Sequence, residues 1–232
     1  MLLAMRLSMP DRPGMLAQVT QALATASADI ATVEIIERIS GVVVDEFTLT
    51  TPTMDPIALA REMEAVPGVV VESVRTVEEQ PSSIALLELA AELSAHPGDR
   101  LATLVAGVPR AIRAAWCLAV CGDYRGGTRV LDMSQGAPRI TSERLPWLPL
   151  EKPRRLAAAG WMPTSWRMRA ALGGLELAAW PLGSPSVALL VGRYSGLRFR
   201  APELRQVELL IDIAGVDGPV TVDLSTRMLS EA

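Results

Sequence analysis

An α+β protein built from two units is what this 232-residue sequence predicts. Two observations carry the prediction. The first eighty residues run strand, helix, strand, strand, helix, strand. The remainder runs two helices, two strands, a long irregular stretch, a strand hairpin and a closing helix. Half of the residues are hydrophobic, enough for one large core or two small ones.

In the first unit, Leu3, Met5, Leu7 and Met9 alternate with Leu2, Ala4, Arg6 and Ser8, the pattern of a strand buried on at least one face. Pro10-Asp11-Arg12-Pro13-Gly14 then stops both helix and ladder. Met15, Leu16, Val19, Ala22, Leu23 and Ala26 follow at helical spacing. A β-branched run from Ile30 to Ile39 and a second over 42–50 flank Ser40-Gly41, which predicts a hairpin. Asp55-Pro56 is an N-cap followed by an N1 proline, and Leu59, Met63 and Val66 mark the face of its helix. Pro67-Gly68 ends that helix, and residues 69–77 form the last strand. Such a βαββαβ order folds as an antiparallel sheet with two helices on one face, the ferredoxin-like arrangement, which alone says nothing of function.

Composition narrows the function classes. Net charge is -4 and the sequence pI about 5.2, a poor footprint for nucleic acid. One histidine, His96, and two cysteines, Cys117 and Cys121, do not make a zinc site. Within one extended strand the cysteines would stand roughly 13 Å apart, too far for a disulfide, and they are read as small buried hydrophobes. No run of apolar residues is long enough to span a bilayer and no signal-peptide order is present, so a cytoplasmic protein away from membranes is expected.

Asp11-Arg12-Pro13-Gly14-Met15-Leu16 at the strand-to-helix corner and Ala28-Asp29-Ile30 at the entry to the second strand resemble the ACT domain, a regulatory module that binds amino acids. The resemblance spans residues 1–80. It implies side-by-side pairing of two copies, with an effector held between the corner of one and the start of the second strand of its neighbour. The implied ligand-binding residues are Asp11, Arg12, Gly14, Met15, Leu16, Ala17, Asp29 and Ile30. Their chemistry suits an α-amino acid. The first-turn amides of Met15, Leu16 and Ala17 and the helix dipole favour a carboxylate, Gly14 admits a ligand to the backbone, and Asp11 or Asp29 accepts from an ammonium group. Asp11 and Asp29 also fit as plain turn and capping residues.

Past a polar linker at 78–83, Leu86, Leu89, Ala90 and Leu93 give one helical face, and Leu101, Leu104, Val105, Val108 and Ile112 another, with a kink expected at Pro109. His96-Pro97-Gly98 between them is a surface break. Strands are expected at 116–121 and 128–133, joined by 122–127. An irregular region at 134–174 carries Trp147, Trp161 and Trp166, which either line a pocket or form a satellite core pinning the loop. Arg154, Arg155, Arg167 and Arg169 give it a local positive charge. A hairpin of 175–182 and 187–194 and a helix opened by Pro202 complete the unit, and the tail beyond 220 is too short to classify.

Ala178-Ala179-Trp180-Pro181-Leu182, residues 187–193 and Pro202-Glu203-Leu204 resemble a GAF-type sensor domain over residues 84–217. The two resemblances together imply a regulatory sensor that binds an amino acid or related small molecule and self-associates through the ACT domain as a homo-oligomer; the acidic balance argues against direct nucleic-acid binding and leaves regulation by protein contact open. No catalytic residues, cofactor or metal are expected. Two alternatives stand beside this. The ACT half is only a dimerisation scaffold while the GAF-like half binds another ligand, or the chain is an enzyme of amino-acid metabolism.

Overall fold

The structure, a computed structural model, describes residues 1–52, 55–77, 84–96, 98–122, 127–140, 145–157, 159–194 and 197–216. The expected linker at 78–83, most of the 122–127 loop and the tail lie outside these.

The first unit follows the expected order: β1 (Leu2–Pro10), α1 (Met15–Thr25), β2 (Asp29–Ile39), β3 (Val42–Thr50), α2 (Pro56–Glu64) and β4 (Val70–Thr76). Its antiparallel sheet has the order β2-β3-β1-β4. Leu3, Met5, Leu7 and Met9 of β1 pack with Val43, Phe47 and Leu49 of β3 under Met15, Val19 and Leu23 of α1 and Leu59 and Met63 of α2. Asp55 caps α2, its Oδ1 accepting from Ile57 N–H at 3.1 Å, and Pro56 follows at the first turn.

The second unit comprises α3 (Ala85–Ala95), α4 (Arg100–Ala111), β5 (Trp116–Gly122), β6 (Thr128–Met133), β7 (Arg154–Leu156), α5 (Thr164–Ala171), β8 (Leu175–Leu182), β9 (Ser184–Tyr194) and α6 (Ala201–Ala214). Its antiparallel sheet runs β6-β5-β9-β8-β7. Both faces are covered, which explains the unbroken apolar runs of β5 and β9. Cys117, Ala119, Trp180, Leu189 and Val191 face α3, α4 and α6. Trp116, Leu118, Val120, Leu177 and Leu190 face the 134–174 region. Trp116 lies flat on Gly192, where any Cβ would stand 2.1 Å from the indole ring, so this strand position admits only glycine.

The 134–174 region, expected to be irregular, holds two regular elements. It contains β7, which extends the sheet beside β8, and α5. β7 is three residues long and α5 buries only Trp166, so neither repeats a periodic pattern long enough to read. The tryptophans form a packed cluster with ring centroids 5.1 Å apart for Trp116–Trp166, 5.8 Å for Trp147–Trp161 and 6.5 Å for Trp161–Trp166. Cys117 and Cys121 are buried and free. His96 is an exposed C-cap of α3.

The two units meet through the helix-free face of the first sheet. Arg6, Glu46 and Arg75 point from that face toward α6, β9 and the turn after α4.

Candidate functional site

The corner after β1 closes on itself through the backbone. Asp11 N–H donates to Gly41 O at 2.8 Å, Arg12 N–H to Pro10 O at 3.0 Å and Met15 N–H to Arg12 O at 3.3 Å. Gly14 is the N-cap of α1 with φ 88, and a Cβ there would meet nothing within 4 Å. The glycine is required by its dihedral rather than by crowding, and the approach to it is open. Among the described residues no side chain caps α1. The Met15 amide is spoken for by Arg12, which corrects its expected freedom, and Met15 itself is buried in the core. Leu16 and Ala17 are exposed.

Asp29 and Ile30 stand elsewhere. Asp29 opposes Thr50 and Ile30 opposes Leu49, at the end of the sheet where Leu2 lies, whereas the corner follows Pro10 at the other end. The eight residue steps of β1 from Leu2 to Pro10 span about 27 Å. One chain therefore does not bring the corner and Asp29 together. Asp29 Oδ1 accepts from its neighbour Ile30 N–H at 3.0 Å, a local turn contact.

Beneath the helix-covered face lies a polar residue that periodicity passed over. Asp45 of β3 opposes Leu7 and Ile35, is buried, and its Oδ1 has no hydrogen-bond partner among the described residues. Burial pushes its carboxyl up; Arg38 opposes that and Asp11 adds to it.

A charged seam joins the two units, and it lies outside the expectations drawn from the sequence. Arg6, fully buried, donates Nε to Glu46 Oε2 at 2.9 Å and Nη2 to the same oxygen at 2.6 Å, and it reaches Glu203 of α6 at 3.2 Å. Glu46 also takes Arg75 Nη2 at 2.7 Å and Arg113 Nη1 at 2.8 Å. Arg193 of β9 donates to Glu203 at 2.9 Å and to Ile112 O, and stacks 4.2 Å from the centre of the Phe199 ring. At the rim Arg113 pairs with Glu34, and Arg200 pairs with Glu37 and Glu72. Burial raises the Glu46 pKa, but the guanidinium groups of Arg75, Arg6 and Arg113 outweigh it and hold the carboxyl at about 2. Glu203 is lowered in the same way by Arg193 and Arg6 against burial.

Strand irregularities aim these residues. The β2–β3 register shifts between Ile35 and Glu37, leaving Ile36 as the extra residue. Glu34 and Glu37 thereby both reach the second unit, where an unbroken strand would turn them to opposite faces. A shift between Arg6 and Leu7 in the β1–β4 ladder does the same for Glu72. Arg113 has φ 57, the left-handed position after a helix that glycine usually fills, and Ala114 N–H closes that turn on Pro109 O at 2.8 Å. A signal was present in the sequence: Arg6, Glu46 and Arg75 are charged residues at mid-strand, on one face.

The expected arginines of the insertion do not converge on a site. Arg167 donates to Thr164 Oγ1 at 3.3 Å, Arg169 lies 5.2 Å over Tyr194, and Arg154 and Arg155 are exposed on β7.

Among known proteins, the ACT domain family model matches residues 4–68, from β1 to the turn before β4. No curated protein matches the chain. Among solved structures, a formyltetrahydrofolate deformylase from Pseudomonas putida aligns at 17% identity and a TM-score of 0.28, covering 44% of this chain. The alignment spans only 39% of the deformylase. The chromophore-binding domain of a bacteriophytochrome from R. palustris aligns at 11% identity and a TM-score of 0.39, covering 92% of this chain and 91% of that one. An unknown protein from Galdieria sulphuraria aligns at 12% identity and a TM-score of 0.31, covering 92% and 91%. Likenesses at these scores carry no argument about function. The family match does carry weight, because its residues coincide with the observed βαββα succession that β4 completes: residues 4–68 form an ACT domain.

Proposed function

We propose that this chain is a regulatory sensor that binds a free amino acid between the ACT domains of two copies, with residues 1–80 as the ACT domain and residues 84–217 as a GAF-like unit. The carrying observation is the separation of the two half-sites. The corner at Asp11, Arg12 and Gly14 and the strand entry at Asp29 and Ile30 lie at opposite ends of one sheet, so a site using both needs a second copy. The open approach to Gly14 and the uncapped start of α1 favour a carboxylate at the Leu16 and Ala17 amides. Asp29 of the neighbour takes the ammonium group, and Ile30 and buried Met15 bound the side-chain space. No catalytic step is assigned, and the reading calls on no cofactor.

A thermal-shift screen against the twenty amino acids, with mass by light scattering, tests this. At about 100 times Kd one amino acid adds roughly 2.7 kcal/mol to the folded state, several degrees in melting temperature. Gly14→Val and Asp29→Ala remove the rise. A monomer with every amino acid overturns the reading.

One observation favours a second reading, in which the GAF-like half takes the ligand. The indole N–H groups of Trp116 and Trp147 are buried with no acceptor among the described residues, and an acceptor-bearing flat ligand would satisfy them. A melting response removed by Trp161→Ala but kept in Gly14→Val selects it.

A further inference from the structure

Between the ACT sheet and the second unit lies a cavity of about 150 Å³, walled by Glu34 and Ile36 of β2, Leu86 of α3, Arg110 and Arg113 at the end of α4, and Gln206 of α6. We propose that this seam cavity binds a small monocarboxylate, through Arg113 and Arg110, by displacing the Glu34 side chain. The site lies within one chain and goes beyond the amino-acid seam between copies.

Size sets the first limit. A cavity of this volume takes a ligand of roughly benzene's dimensions, about half a dozen non-hydrogen atoms. Charge sets the second. The other carboxylate on the wall, Glu203, is fully engaged with Arg6, Arg193 and the Arg200 N–H. Glu34 is the exchangeable acid: its side chain is 50% exposed and its partner is Arg113. Arg110 is likewise held, among the described residues, by Glu88 at the surface, the two side chains being 65% and 40% exposed. The Arg110–Glu88 pair is exposed and worth little, and Glu34 regains water when it leaves Arg113, so an incoming carboxylate exchanges with these acids at small cost. The half-buried Gln206 side chain has no hydrogen-bond partner among the described residues and supplies an amide donor. Ile36, brought to the seam by the β2 bulge, and Leu86 receive a short apolar tail.

Arg113 gives the site its consequence. It joins Glu34 on the edge strand to Glu46 in the sheet, so a ligand that takes its outer contact removes one of the two ion pairs described between β2 and the second unit, the Glu37–Arg200 pair staying in place, while Glu46 keeps the inner one.

The test is ligand-observed NMR on the full chain with propionate, alanine and alaninamide as probes. Propionate binds at millimolar concentration, and alanine binds comparably with its ammonium near the released Glu34; alaninamide, lacking the carboxylate, does not. Arg113→Gln weakens propionate ten-fold or more. Arg110→Gln, at an exposed position where loss of folding is not expected, weakens it several-fold. Glu34→Gln tightens it, because the internal competitor is gone. A merely structural role for the Arg113–Glu34 pair makes Arg113→Gln and Glu34→Gln act in the same direction, and that result overturns the proposal. So does equal binding of alaninamide, or absence of propionate binding. If Gly14→Val and Asp29→Ala abolish binding while Arg110→Gln leaves it intact, the ligand occupies the corner, and the seam site fails while the ACT reading stands.

Discussion

Arg6 and Leu7 are neighbours on β1 and both are fully buried, yet opposite physics buries them. Leu7 enters a core made by helices that follow within the same sixty residues. Arg6 enters a cluster whose acids come from β3 and from α6, 40 and 197 positions away. The apolar face is non-directional and tolerates any side chain of fitting volume. The charged face works only if each partner arrives in register, because a buried guanidinium without its carboxylate costs more than the pair returns. One sheet therefore has a side that makes it fold and a side that decides what it folds against.

The largest expected effects test that contrast directly. Glu46→Gln leaves Arg6, Arg75 and Arg113 short of a buried partner and costs about 3–5 kcal/mol in urea unfolding. Phe47→Ala, one residue away on the other face, costs a similar 3–5 kcal/mol through its cavity. Acid separates the two variants. Glu46 is held at about 2 against an ordinary 4.5, so its contribution is fully present above 4.5 and lost as pH falls from there toward 2. That contribution is on the order of 3 kcal/mol. Denaturation midpoints followed downward in pH fall steeply for Phe47→Ala, as for the parent chain, and more shallowly for Glu46→Gln. Equal slopes in the two variants would show that other carboxylates govern acid unfolding.

A smaller effect sits at Arg113. Glycine and alanine both lose its ion pairs, but only glycine relieves the left-handed backbone. Arg113→Gly is therefore expected to be about 1 kcal/mol more stable than Arg113→Ala by thermal melting. Equal stability would mean that the turn relaxes on its own. Smallest is Asp29→Ala, whose exposed side chain bonds among the described residues to its neighbour's amide alone, and which should shift stability by no more than about 0.5 kcal/mol while removing the amino-acid response.

Legibility in the sequence followed the same divide. Alternation in β1, the Ser40-Gly41 turn, the Asp55-Pro56 cap and the Pro202 start of α6 are local signals, and each element stands where they put it. The apolar core of the first sheet was equally plain. Arg6 was counted as the polar half of an alternation because its partners are not local. The bulges at Ile36 and Glu72 left no composition signature, and they alone turn Glu37 and Glu72 toward Arg200. At the corner, the Pro-Gly turn and the helix start were readable, but the Met15 amide was lost to Arg12 through a backbone contact that no residue type announces. Among the tryptophans, composition left a pocket and a packed core open; the rings touch one another as a core does, while the buried indole N–H groups of Trp116 and Trp147 lack acceptors among the described residues.

The charged seam also bears on how the chain is made. β4 leaves the ribosome well before Glu203 of α6, and at roughly 5–20 residues per second the first sheet waits about six to twenty-five seconds for that partner. An apolar face would spend the interval as a sticky surface, open to neighbouring nascent chains. Arg6, Glu46 and Arg75 instead spend it hydrated, with one another for company. Docking of the second half then exchanges water for fixed partners at these three residues rather than burying hydrocarbon there.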